Sequence, residues 1–462
     1  MAALSAQDVW AVGAYHQPES PYQTLTEHWD GTRWRRVESP NRNPPDYIVD
    51  NHLEAVAGLA ANDVWAIGTY QGVAIEGQGS HSTGRQPMTM HWTGTSWQFV
   101  DNPAQTAGST LTDLAAVGPH DLWAVGKRTE GASAQAISLR WNGRSWEQVP
   151  VPGPEGATTT LGKVSGSGPN DVWAAGGYSS PTEVGVLVEH WDGAAWTPST
   201  LPVSTWTTDR QHVFTLGDIA SSASDDAWMV GSIATNGPSP NPKAPPPLLK
   251  LETVIMHWDG VGWTRVPAPN PGDTGADLFG VSVAGKTDAW AVGSAFIPGK
   301  QATLTLHWDG STWAQVSSPD GDPLNNSLRD VTTLAGGHAW AAGYGALLQY
   351  TASCKAPKGA PPAQPTTRVP DPHAAGVLYF SLVGHTLREP FRAYWDLHGG
   401  LDQFGYPLTE PFDEISPTDG KPYLVQYFER NRLEYHPELP EAYRVSLGLL
   451  GVQILRARTW LP

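Results

Sequence analysis

Along most of the chain, apolar and polar residues alternate with a period of two over short runs. Each run is closed by Gly, Asp, Asn or Pro, and the runs return in a fixed order. Alternation over so few residues predicts half-buried strands and not helices. The stretch around residue 120 shows one full set: LTDLAAVG, DLWAVG, AISLRW and SWEQVPV read as four strands, a to d. A tight polar turn (GPHD) joins a to b, a variable loop joins b to c, and an Asn-Gly hairpin joins c to d. Asp-Gly or Asn-Gly between strands predicts a two-residue turn with two positive φ angles.

The set repeats. DVWAVG at Asp8 returns as DVWAIG at Asp63, DLWAVG at Asp121, DVWAAG at Asp171, DAWMVG at Asp226, DAWAVG at Asp288 and HAWAAG at His338. Six of these are followed by HWDGTRW, HWTGTSW, RWNGRSW, HWDGAAW, HWDGVGW and HWDGSTW, so 19 of the 22 tryptophans fall in the repeat. Four short strands per unit of roughly 50 residues describe a propeller blade. The expectation is an all-β chain, a seven-bladed β-propeller of four-stranded blades over residues 1–353. Sheets packed face to face leave wide outer gaps, and Trp at equivalent places in every unit fills them. The recurrent His28, His91, His190, His257 and His307 stand one per blade around the ring and cannot converge on one ion. Arg140 holds the same place in the third unit, so these positions predict local hydrogen bonding and no metal site.

The seventh unit has strands a, b and c but no WDG hairpin and no strand d, while the first begins partway through strand a. The economical expectation is that the missing outer strand lies upstream of Met1, together with any export signal. The rival is that TASCKA after Tyr350 serves as a poor outer strand.

Alternating strand direction puts the b–c and d–a loops at one end of the ring and the short a–b and c–d turns at the other. Function on repeat scaffolds gathers in variable loops. The long loops around residues 41–52, 71–86 and 232–252, with the approach to the fifth unit, single out Tyr47, Arg85, Trp206, Arg210 and His212 as candidate binding residues. Strands a carry Glu54, Asp113, Asp218 and Asp330, which face the central channel or its mouth if those strands form the inner edge. Four carboxylates there could hold a cation through oxygen, or bond the backbone of neighbouring blades, which is the simpler expectation.

Charge and composition narrow the picture further. A formal net charge of -17 argues against nucleic acid, whose binding rests on clustered Lys and Arg. One cysteine, Cys354, allows neither an internal disulfide nor a cysteine metal cluster. No apolar run is long enough to span a membrane, and the N-terminus lacks a secretory pattern. Met1 as the true start would therefore mean a cytoplasmic protein, and a missing signal an extracellular or surface one.

Residues 354–372 are Pro-rich without apolar periodicity and read as a semi-rigid linker. Residues 373–462 change character and predict a small α+β module. REPFRAYWDLHGG predicts an amphipathic helix with Phe391, Tyr394 and Trp395 on one face, ended by Gly399 and Gly400. KPYLVQYFER and RLEYHPE predict two strands turning at Asn431. The dense Glu429, Arg430, Glu434, His436 and Glu438 invite an acid–base reading, but their alternation fits cross-strand ion pairing better.

The DVWAVG…HWDGxxW alternation resembles bacterial propeller repeats of Kelch-like and Asp-box type, and FGYP (404–407) with LGLLG (447–451) resembles the LGFP-type modules of bacterial exported proteins. The first resemblance implies a fold element shared by enzymes and non-enzymes. A sialidase would need an arginine triad, and Arg329 is the only arginine on the strands a compared. The second implies attachment to a cell wall or surface. Together these give a non-catalytic, cofactor-free binding protein, monomeric, for a glycan, cell-wall component, peptide or protein. A polysaccharide hydrolase or lyase with its site at the channel mouth is the alternative, and a pure assembly scaffold the third reading.

Overall fold

The computed structural model describes all residues except 19, 45–46, 75–81, 119, 132, 203–211, 238–247, 323, 335–337, 345, 352–368, 370–371, 373, 375, 382, 416–420, 429–430, 441–442 and 448–462. The chain divides into two compact units, Met1–Ala352 and Ser353–Pro462. The proposed linker lies almost wholly outside the described residues.

The first unit is an all-β propeller. Its described residues form seven antiparallel sheets, six of four strands and a last one of three, each built from consecutive strands. The strands a are Ala2–Ser5, Tyr47–Ala60, Ser109–Gly118, Thr158–Gly168, His212–Ala223, Gly275–Gly285 and Ser327–Leu334. Each lies against the next, and the seventh lies against the first, so they line a closed ring. Ala3 N–H donates to Thr332 Oγ1 at 3.3 Å across that closure.

Apolar packing sits between sheets. Trp228, Val230 and Ile255 of the fifth sheet share one core with Ala289, Leu304 and Trp313 of the sixth, and the other neighbours repeat the pattern. The tryptophans explain their own spacing. Trp173 of strand b meets Trp258 of the next sheet at 4.9 Å and, edge-on, Trp263 at 5.1 Å. Trp340 of the seventh sheet meets Trp29 and Trp34 of the first at 5.1 and 5.6 Å, closing the ring by the same device. Such pairs add about 0.5–1.5 kcal/mol each beyond the area they bury.

The strand-c histidines are hydrogen-bonded in place, as their repetition predicts. His190 Nε2 lies 2.7 Å from Asp171 Oδ1 while its ring stacks on Trp173, and His28, His91, His257 and His307 do the same with Asp8, Asp63, Asp226 and Asp288. In the third sheet Arg140 donates twice to Asp121, at 2.8 and 2.6 Å. We therefore expect Arg140→His to leave the urea midpoint unchanged. Arg140→Met strands the buried Asp121 carboxylate and should cost about 1–3 kcal/mol in the same melt.

Two expectations need correction. The c–d connection is not a two-residue turn: Trp29 pairs with Trp34 and Trp308 with Trp313, leaving four residues in the loop. Only its glycine takes positive φ (Gly31 at 89°, Gly310 at 94°). The preceding Asp does a different job, accepting the N–H groups two and three residues on, as Asp309 does from Ser311 and Thr312 at 2.8 and 2.9 Å.

The other correction concerns strand a, which is not a plain period-2 strand. In six sheets it carries one extra residue opposite the glycine of the DVWAVG motif: Glu54, Thr112, Gly162, Gly217, Phe279 or Arg329. The bulge presses backbone against that glycine. A Cβ at Gly126 would sit 1.9 Å from the Thr110 carbonyl oxygen, and one at Gly293 1.8 Å from that of Asp277. No other residue fits there.

The second unit pairs Leu378–Phe380 with His385–Leu387, then places helices Phe391–Leu397 and Gly400–Phe404 before a four-stranded sheet. Its core is Leu387, Phe391, Trp395, Phe404, Phe428 and Leu433. The predicted helix ends where the Gly-Gly pair stands: His398 is its C-cap, Gly399 takes the left-handed position just past it at φ 105°, and a second helix starts at Gly400.

Candidate functional site

The bulge decides which strand-a side chains share the channel. The residue after it is Ala55, Asp113, Lys163, Asp218, Gly280 or Asp330 in successive sheets. Glu54 is therefore not a counterpart of the three aspartates. It is the extra residue itself and is exposed, which corrects the set of four. Sequence reading missed Lys163, which stands where its neighbours carry Asp.

These charges are tied to backbone. Asp113 Oδ2 accepts the Val164 N–H of the next sheet at 2.8 Å, and Asp218 Oδ2 accepts that of Val281 at 3.0 Å. Asp218 Oδ1 accepts from Ile219 N–H at 2.9 Å and lies 3.6 Å from Lys163 Nζ. Asp330 Oδ1 accepts from Val331 N–H at 2.8 Å, and its other oxygen is met by the Met1 amino group. Adjacent strands a do not pair as a sheet, so side chains satisfy their facing N–H groups. Burial raises Asp113 and Asp218, the latter to about 7, against the pull of Lys163. The nearby carboxylates, Asp218 first, hold Lys163 above its ordinary value. Among the described residues no cluster of His, Cys, Asp and Glu has the geometry to hold a metal ion.

The loop-bearing end of the ring has a different character. His16 and Tyr22 lie 4.7 Å apart, ring to ring, and Tyr22 lies 4.7 Å from His52, forming a partly exposed aromatic strip across the first two sheets. Asp50 Oδ1 accepts the Tyr22 N–H at 2.8 Å and Tyr22 O accepts that of Asn51 at 2.9 Å, fixing the strip to strand a. Ile48 and Val73, paired across strands a and b, are both exposed. Val184, Val213, Leu249, Ile297, Leu324, Tyr344 and Leu347 are also exposed at the same strand ends around the ring. At the opposite end the described exposed large apolar residues are Val261 and Tyr350.

Of the residues singled out in the loops, Tyr47 opens strand a of the second sheet, half-buried, where a Cβ on Gly72 would meet it at 3.1 Å. Arg85 is exposed beside the start of strand c. Trp206 and Arg210 lie outside the described residues, and for His212 only its place at the start of strand a is described.

In the second unit the buried Arg432 joins Glu414 at 2.6 Å and also Glu434, while His436 lies 3.1 Å from both Glu434 and Glu438. Tyr427 donates to Glu414 at 3.0 Å, and burial raises its phenol. The carboxylates are consumed by the guanidinium, so the cluster reads as a structural ion network. Glu429 and Arg430 lie outside the described residues.

No family model and no curated protein matches the chain. Among solved structures it is similar to YCF48 bound to D1 peptide, at 15% identity over 77% of this chain and 92% of that one, with a TM-score of 0.43. It is also similar to the PL25 ulvan lyase bound to -[GlcA(1-4)Rha3S]-, at 9% identity over 75% and 89%, TM-score 0.44. A third is the six-bladed fucose-recognising lectin of Aleuria aurantia, at 12% identity over 68% and 98%, TM-score 0.36. These likenesses assign no ligand and no chemistry to this chain.

Proposed function

We propose that the chain is a non-catalytic binding protein whose propeller takes a glycan or polypeptide partner across the end bearing the b–c and d–a loops. The observation that carries this reading is the asymmetry of exposed apolar side chains among the described residues, gathered at that end from Tyr22 to Leu347 and reduced to Val261 and Tyr350 at the other. Exposed apolar residues gathered at one end mark interaction sites, and aromatic and Arg side chains, here Tyr22 and the exposed Arg85, are the ones that anchor partners. On this reading the seven sheets are seven blades of Kelch-like or Asp-box-like type. The second unit, taken as an LGFP-like module joined by a Pro-rich linker, attaches the protein to a cell wall or surface outside the cell. The protein acts as a monomer. No described helix is long and apolar enough to cross a membrane.

The rival reading, a polysaccharide hydrolase or lyase, draws on Asp218, whose raised carboxyl suits proton transfer near neutral pH. Against it, both Asp218 oxygens already accept backbone N–H groups and one also faces Lys163. The test is binding to an array of cell-wall polysaccharide fragments and peptides, beside turnover on the same polysaccharides. Tyr22→Ala with Arg85→Ala should weaken binding about tenfold or more, with the melting temperature unchanged. Val261→Ser at the far end should have no effect. Turnover that disappears in Asp218→Asn would replace the binding reading with the enzymatic one.

A further inference from the structure

Six sheets end in an outer strand d that opens on Trp: Trp34–Val37, Trp97–Val100, Trp146–Val149, Trp196–Pro198, Trp263–Arg265 and Trp313–Val316. In five of them the fourth residue is Val: Val37, Val100, Val149, Val266 and Val316. The indole of each strand d stands edge-on to the strand-b Trp of the preceding sheet, as Trp313 does to Trp228 at 5.2 Å and 81°. The seventh sheet stops at strand c, Ala346–Thr351, and no strand pairs with its outer edge among the described residues.

The matching place on the sixth sheet is half filled. Tyr350 pairs with Ala339 as Trp308 pairs with Ala289, and its ring reaches Trp290 at 4.4 Å, standing in for the strand-c indole. Nothing described takes the edge-on position. A groove remains there, lined by Trp290, Val292, Val316, Val331, Leu348 and Tyr350. The floor is apolar, and the rim is a row of backbone N–H and C=O groups with no strand partner among the described residues. A sheet edge of this kind pairs with an added strand, backbone giving affinity and pockets giving selectivity.

We propose that this edge is a strand-accepting site for an extended polypeptide segment of the form Trp-x-x-Val. The six filled positions in the same molecule define both the occupant and its register. Trp308 pairs with Trp313 and Thr305 with Val316. The incoming strand accordingly runs antiparallel to Ala346–Thr351, with its Trp opposite Tyr350 and its Val opposite Leu347. The Trp fills the groove edge-on to Trp290. This edge shares only Leu347 with the apolar residues of the loop-bearing end and none of its aromatic strip, so it stands or falls independently of the glycan or polypeptide reading given there.

The test uses the full chain and a synthetic peptide of residues 311–318, STWAQVSS, carrying a fluorophore, followed by anisotropy and by hydrogen exchange. Saturable binding is expected, with protection appearing at 346–351. The Trp→Ala peptide should bind about tenfold more weakly or worse. Leu348→Lys in the groove wall should abolish binding, and Val261→Ser, remote from it, should not. A melt of each variant separates a lost site from a lost fold, and a peptide-dependent rise in melting temperature in the unaltered protein supplies a readout that needs no variant. Absence of binding, equal binding of the Trp→Ala peptide, or an edge at 346–351 already protected before peptide is added would each overturn the proposal.

Discussion

Glu189→Leu is expected to stabilise the protein, and by more at pH 8 than at pH 5. Glu189 sits on strand c of the fourth sheet, opposite Ala174, where other sheets place Met90, Leu139, Met256 and Leu306. It is fully buried, and neither carboxyl oxygen has a hydrogen-bond partner. Burial alone pushes its pKa from 4.5 to about 7.

A folded-state pKa above the unfolded one means that the folded protein favours the proton. The contribution of this site is therefore most favourable below about pH 4.5 and is lost as the pH climbs through 7. At about 1.4 kcal/mol per pH unit, the gap from 4.5 to about 7 amounts to about 3 kcal/mol above neutrality. Leucine removes that dependence and also removes the unmet hydrogen bonds of the protonated form. Urea melts of the two proteins at pH 5 and pH 8 check this. A gain equal at both values would mean that the carboxyl is not titrating in the fold. Glu189→Gln separates the two contributions, because it abolishes the pH dependence but keeps the unmet polar atoms.

How much of this was legible depends on whether a feature repeats. The strands, their order and the Trp positions recur in every unit, so one chain displays several solutions of the same packing problem, and Trp10 through Trp340 read as architecture. The His–Asp pairs were half legible: repetition excluded a shared ion, but the partner Asp at the start of strand b shows only once strands b and c are paired. The bulge in strand a was not legible. Aligned on the preceding leucine, Glu54 stands at the place of Thr112 and Ala55 at that of Asp113, but only the paired strands show that the first of these is an extra residue and the second the side chain that follows it. Collecting the acids of strands a without that alignment put Glu54 in the channel set and passed over Lys163, which LGK places level with the aspartates of LTD, LGD and LRD. The exposed apolar end was not legible either, since Ile48, Val73 and Leu249 look like ordinary strand residues until their neighbours are placed. The turn chemistry failed for a similar reason: Asp-Gly suits a two-residue turn, but the indole pair fixes the register two residues further out.

Lys163→Met should destabilise the propeller by on the order of 3 kcal/mol at pH 8, because it removes a charge partner from buried carboxylates. Asp113 and Asp218 already have raised pKa values from burial, and the ammonium 3.6 Å from Asp218 is what keeps them from rising further. Without it they either repel or take up protons, so the penalty shrinks as the pH falls toward 5, where protonation relieves it. Asp218→Asn in the Lys163→Met background should recover part of the loss at pH 8, since the amide oxygen still accepts one backbone N–H and only Asp113 of the two carboxylates is left without its charge partner. Lys163→Arg should hold stability near the starting value. The same variants discriminate between the two functional readings. If the channel charges belong to the fold, Lys163→Met with Asp218→Asn binds its partner as the parent does once stability is restored. If binding or turnover vanishes while the melt recovers, the working site lies in the channel and the loop-bearing end is its approach.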